Sequence, residues 1–201
     1  MERERENPSR PREGIPRGRF VILTGPSGVG KDTLARGLLD AFPFRKVITC
    51  TTRNPRGNEE DGKAYHFLDT SSFKSGINEG EFVEWAQVYD HYYGVRQQDL
   101  EEPLQAGENL LLLVDVQGAK TLHPLFPHAL LLFIAPPNKE VLEERIGARG
   151  TDNEESRKRR RIQVDEELAW SVHADRVLVN DLIDDVKEEL HRCIEVFFEG
   201  R

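Results

Sequence analysis

Gly25-Pro26-Ser27-Gly28-Val29-Gly30-Lys31-Asp32-Thr33 decides how the rest of the chain is read. The apolar run Phe20-Val21-Ile22-Leu23 precedes it, and Leu34, Leu38 and Leu39 follow at helical spacing. That order is buried strand, glycine-rich turn, helix. Glycines let the backbone close around an anion with its N–H groups pointing inward, and a helix N-terminus adds partial positive charge. Lys31 then supplies a mobile cation for the outer phosphates. The strict pattern G-x-x-x-x-G-K-S/T fails by one residue, because Asp32 stands where the magnesium-binding hydroxyl belongs. A glycine-rich turn with no ligand is the competing interpretation.

The chain has 201 residues, enough for one domain with a real core or one domain carrying an inserted lobe. Its net charge of -8 argues against a general nucleic-acid binder, so phosphorylated substrates must be drawn by local clusters of Arg and Lys. Cys50 and Cys193 are the two cysteines, without paired spacing, and read as structural thiols rather than a disulfide framework. No run approaches about 18 consecutive apolar residues, so no membrane span is expected. Residues 1–18 are rich in Arg, Glu and Pro and read as a disordered tail, not a secretory signal. A cytoplasmic protein is expected, with oligomeric state left open.

Outward from the loop, the first helix is expected from about Asp32 to Ala41 and a β-like stretch over Lys46-Val47-Ile48-Thr49. Next comes Thr51-Thr52-Arg53-Asn54-Pro55-Arg56, in which two arginines around a proline suit a phosphate dianion, since each guanidinium can donate two parallel hydrogen bonds. A solvated polar loop would look much the same. Lys63 to Leu68 alternates like a strand, Ser71 or Ser72 can cap a short helix, and 81–88 with 92–95 read as strands. Residues 53–95 thus form a small aromatic-rich inserted lobe.

Three continuous apolar runs, 109–114, 129–135 and 176–180, predict parallel strands buried on both faces. Asn138 is a candidate cap for the helix through Arg145, and Asp181 or Asp184 for the last helix. In such sheets ligands lie beyond the C-terminal strand ends, where the glycine loop and Asp115 both fall. Arg145, Arg149, Gly150, Thr151 and Arg157 to Arg161 suggest a glycine-hinged, arginine-rich lid over about 145–161. A solvated helix face accounts for Lys158, Arg159 and Arg161.

From Arg19 to Ile194 the chain resembles guanylate kinase, a family of nucleoside monophosphate kinases. The likeness rests on the glycine loop, the Thr51–Arg56 segment with Glu59, Gly62 and Tyr65, Gly80-Glu81-Phe82-Val83-Glu84-Trp85-Ala86, Tyr92-Tyr93-Gly94, Asp115-Val116-Gln117-Gly118-Ala119, Arg149-Gly150-Thr151 and Val179-Asn180-Asp181. It implies an α/β fold: a P-loop parallel-sheet core (19–52 and 96–201) flanked by helices, a GMP-binding lobe (about 53–95) and the mobile lid. It implies phosphoryl transfer from ATP with Mg2+ to GMP or dGMP.

The resemblance also implies residue roles. Gly25, Pro26, Ser27, Gly28, Val29, Gly30, Lys31, Asp32 and Thr33 would hold the ATP phosphates, with Asn180 near the adenine. Thr49, Arg53, Arg56, Tyr65, Glu84, Tyr93 and Asp115 would hold GMP, Glu84 accepting from the guanine N1–H and N2–H2 edge. Lys31, Arg53, Arg145, Arg149 and Arg160 would act in catalysis, and Asp32 or Thr33 would meet the magnesium. Val95 replaces a hydroxyl residue of the family's pattern, Leu113 an acid, and Ala64 an Asp. The alternatives are a kinase for ribose 1,5-bisphosphate, in which Gly-Lys-Asp also occurs, and a peptide-binding domain of guanylate-kinase shape.

Overall fold

The structure is a computed structural model that describes residues 17–88, 90–147 and 154–200, with backbone only at 146, 147 and 154–161. The loop of Gly25 to Gly30 joins β1 (Phe20–Thr24) to α1 (Lys31–Ala41). Strand β1 is the middle of a five-stranded parallel sheet. On one side lie β7 (Asn109–Leu113) and then β2 (Phe44–Lys46), and on the other β8 (Leu130–Ala135) and then β9 (Arg176–Val179). Register places Ile22 beside Leu112 and Leu131. Alternating residues of β1 feed two apolar clusters: Phe20 and Ile22 on one face, Val21 and Leu23 with Leu34 and Leu38 of α1 on the other. This double burial is why β1, β7 and β8 are apolar without interruption.

The second sheet has four strands in the order β4 (His66–Phe67), β3 (Cys50–Thr51), β6 (His91–Arg96), β5 (Phe82–Val88). Helix α2 (Thr70–Glu79) brings Phe73 against it, and Phe73 stacks on Phe82 and Tyr92 at 4.3 and 5.4 Å between ring centres. Helix α3 (Gln98–Ala106) and α4 (Val116–Leu122) return the chain to the parallel sheet. After β8 come α5 (Lys139–Gly147), α6 (Glu154–Ala169), β9 and the closing α7 (Ile183–Glu199). Among the described residues no helix is long and apolar enough to cross a membrane.

Several local expectations change. The stretch 46–49 is not a strand: β2 ends at Lys46, Val47 sends one last N–H to Leu111 O, and the chain then crosses between sheets so that Thr49 O can accept from His66 N. Of Lys63 to Leu68 only His66–Phe67 forms a strand, with Tyr65 in an isolated bridge to Asp61. Asp69, not Ser71 or Ser72, caps α2, because its carboxylate reaches Ser72 N at 2.8 Å. Neither Asp181 nor Asp184 caps α7. Leu182 holds that position, and Asp184 and Asp185 lie in the first turn, where their charge meets the helix dipole. Strand β9 is a sheet edge, with Leu178 buried but Val177 and Val179 exposed, so the apolar run at 176–180 is buried on one face only. Asn138 does cap α5, accepting from Val141 N at 2.8 Å.

Candidate functional site

Strand β1 delivers the glycine loop to the C-terminal end of the parallel sheet. Gly25 has φ 140°, and a Cβ there would stand 2.2 Å from Ile134 O of β8, so only glycine lets the chain turn against its neighbouring strand. Lys31 Nζ donates to Gly25 O at 2.6 Å and Pro26 O at 2.9 Å, which holds the ammonium over the loop. Burial lowers its pKa, opposed by the nearby charges of Asp115, Asp32 and Glu167. Asp32 and Thr33 are exposed in the first turn of α1.

A buried asparagine ties the far end of the chain to this loop. Asn180, directly after β9, donates from Nδ2 to Val29 O at 2.7 Å, and its own carbonyl accepts from Arg145 Nη1 at 3.2 Å. Gly30 has φ 92°, and a Cβ there would press on Asn180 Nδ2 at 2.7 Å. The resemblance assigned Asn180 to the adenine; here its side-chain amide braces the loop. Arg145, at the base of the expected lid, reaches the same corner. Arg149 lies outside the described residues, and Arg160 is placed on α6 with its side chain outside the description.

The second sheet carries the other half. Arg53 is 7% exposed. It forms a two-pronged pair with Glu59, Nη1 to Oε2 at 2.9 Å and Nη2 to Oε1 at 3.0 Å, and Nη1 also donates to Asn54 O at 2.7 Å. The rings of Tyr65 and Phe67 cover the guanidinium at 5.4 and 5.9 Å. Tyr65 and Tyr93 meet edge to face at 6.3 Å, which gathers three of the expected phosphate ligands into one wall. Arg56 stands exposed beside them, its backbone N–H on Glu59 Oε2 at 2.8 Å. Burial raises the Tyr65 pKa, and the charge of Asp32 adds to the effect. Thr49 is half-buried and contributes its carbonyl to His66.

Glu84 of β5 is 8% exposed and finds no hydrogen-bond donor among the described residues. Burial, with Asp115 adding to it, pushes its carboxyl up to about 8. Val95, its ladder partner on β6, is fully buried in the core and offers no hydroxyl. Asp115 caps α4, accepting from Gly118 N at 2.8 Å.

A third acid, Glu167 of α6, is 6% exposed, accepts from Gln163 Nε2 at 2.9 Å, and has its pKa raised by burial. No sequence pattern points to it: Asp165-Glu166-Glu167 reads as a solvated helix face, and the burial of Glu167 depends on tertiary packing. The ammonium donor thus belongs to the glycine loop and the guanidinium donors to the second sheet's wall, and Asp115 acts electrostatically on both Lys31 and Glu84. No trio of His, Cys, Asp or Glu able to hold a metal occurs among the described residues. Asp32 and Thr33 suit instead a magnesium that takes most of its ligands from phosphates and water and one or two oxygens from protein.

The guanylate kinase family model matches residues 17–196. A guanylate kinase of Synechocystis sp. is 41% identical over 184 residues, spanning 91% of this chain and 95% of its own length. One from Trichodesmium erythraeum is 39% identical over 183 residues, spanning 90% and 98%. The crystal structure of guanylate kinase from Anaplasma phagocytophilum superposes with a TM-score of 0.71 at 29% identity, over 89% of this chain and 85% of that one.

Proposed function

The chain belongs to the guanylate kinase family, and from that membership we propose how its residues move a phosphoryl group from ATP to GMP, giving ADP and GDP. The triphosphate lies in the loop of Gly25 to Gly30 under backbone N–H groups, with Lys31 exchanging its loop carbonyls for phosphate oxygens. The GMP phosphate lies on Arg53, Arg56, Tyr65 and Tyr93, and its guanine edge on Glu84. Asp32 or Thr33 would hold magnesium, which would supply charge neutralisation at the phosphates. Asp32 beside a triphosphate would need such a cation, since two like charges at about 4 Å repel by roughly 1–4 kcal/mol at surface-like dielectric.

The acceptor is already an ionised phosphate, so no strong general base is required. What this chain contributes is alignment, exclusion of water and cations placed where charge spreads in the transition state. Arg145, Arg149 and Arg160 are the cations assigned to that work.

The observation that carries the guanine assignment is Glu84: a buried acid, short of donors, on the same sheet as the phosphate wall. Guanine N1–H and N2–H2 supply the donors it lacks, whereas adenine presents an acceptor at N1. Mispairing costs on the order of 1–3 kcal/mol per buried group. A coupled assay offering GMP, dGMP, AMP and ribose 1,5-bisphosphate tests this. GMP and dGMP should turn over and AMP should lag far behind; phosphorylation of the sugar bisphosphate in preference to GMP would refute the assignment. Lys31→Ala should lower kcat by roughly two to three orders of magnitude, the effect typical of removing a preorganised transition-state donor. A wild-type rate would remove Lys31 from that role.

A further inference from the structure

The Arg53–Glu59 pair raises a question that the substrate assignment does not answer: why a residue meant for a phosphate dianion already holds a carboxylate. A guanidinium has five N–H groups arranged along flat edges. Glu59 takes one from Nη1 and one from Nη2, and Asn54 O takes the other from Nη1. Three of the five are thereby assigned. The remaining two, on Nε and Nη2, lie side by side along the adjoining edge. The face of the group is covered by Tyr65 and Phe67, so it cannot rotate freely to offer a different edge. Meanwhile Glu59 Oε2 also accepts the backbone N–H of Arg56 at 2.8 Å. One carboxylate therefore fixes the side chain of the first arginine and the backbone of the second.

We infer that Glu59 is a positioning residue for the acceptor phosphate: it anchors Arg53 end-on, turns the Nε/Nη2 edge toward the ligand, and sets the spacing between Arg53 and Arg56. This rests on the assignment of that wall to the GMP phosphate. The opposing possibility is that Glu59 competes with the phosphate for Arg53. The two make opposite predictions, because removing a competitor tightens binding and removing an anchor weakens it.

Titration calorimetry of GMP and of ATP into the full chain, with steady-state kinetics, separates them for the wild type, Glu59→Gln, Glu59→Asp, Arg53→Ala and the Glu59→Gln/Arg53→Ala double variant. Glu59→Gln should weaken GMP about tenfold, the scale of one charge-assisted contact. It should raise KM for GMP more than it lowers kcat, leave ATP binding within about twofold, and add little once Arg53 is already gone. Glu59→Asp, which keeps the charge one methylene short, should fall between. If melting shows that Glu59→Gln does not fold, Glu59→Asp carries the test, and a GMP affinity equal to or above wild type then refutes the inference. Unchanged or tighter GMP binding, an equal loss toward ATP, or a full additional loss in the Arg53→Ala background would each overturn it. A wild-type protein that binds no GMP would instead bring down the substrate assignment itself.

Discussion

Buried in β5 beside Asp115, Glu84 has its carboxyl pushed up to about 8, so at neutral pH the free protein holds it largely protonated. A protonated carboxyl accepts poorly from two N–H groups, so GMP binding should release a proton. KM for GMP should fall from about pH 6 to about pH 8 and then level off. Titrations in buffers of different ionisation heat would detect the proton, and a pH-independent KM would count against it. Stability runs the other way. Because the folded pKa lies above the ordinary carboxyl value, the contribution of Glu84 is intact at acid pH and is lost as pH rises through about 8. Glu84→Gln should therefore raise Tm most at alkaline pH while losing preference for GMP over AMP. At this scale the site was partly legible. Lys31, Arg53 and Glu84 stood out through motifs of fixed spacing. The state of Glu84 and the burial of Glu167 did not, because both depend on neighbours brought up by other helices and strands.

Helix ends and short strands show where sequence patterns lose their grip. The continuous apolar runs of β1, β7 and β8 announced themselves because both faces are buried. The two-residue strands β3 and β4 could not, since a period needs more residues than they have. Caps divided similarly. Asn138 was readable from its place before α5, whereas Asp69 was masked by two serines that follow it and in fact donate to it. Asn138→Ala should cost about 0.5–2 kcal/mol, read as a lowered denaturation midpoint. Because α5 carries Arg145, kcat should suffer more than either KM. Asn180→Ala frees Val29 O in a buried corner and should destabilise by about 1–3 kcal/mol. It should also raise KM for ATP with little change for GMP.

Two apolar clusters surround the parallel sheet, one of them also taking in Val83 of β5 and Val95 of β6, while a smaller cluster of Cys50, Phe73 and Phe82 belongs to the second sheet alone. Phe73→Ala removes a fully buried ring stacked on two others and should cost about 3–5 kcal/mol. Hydrogen exchange should rise first in β3, β5 and β6 rather than around β1, and equal loss of protection in both sheets would contradict this division. The same economy has an engineering consequence at Asn180. The curve of the glycine loop is held by an amide supplied 151 residues later, across the end of β9. Residues 20–41 are consequently not a transplantable cassette. Spliced into a foreign scaffold, they would bring the consensus but not its clasp, and nothing there would keep Val29 and Gly30 in the shape that nucleotide demands.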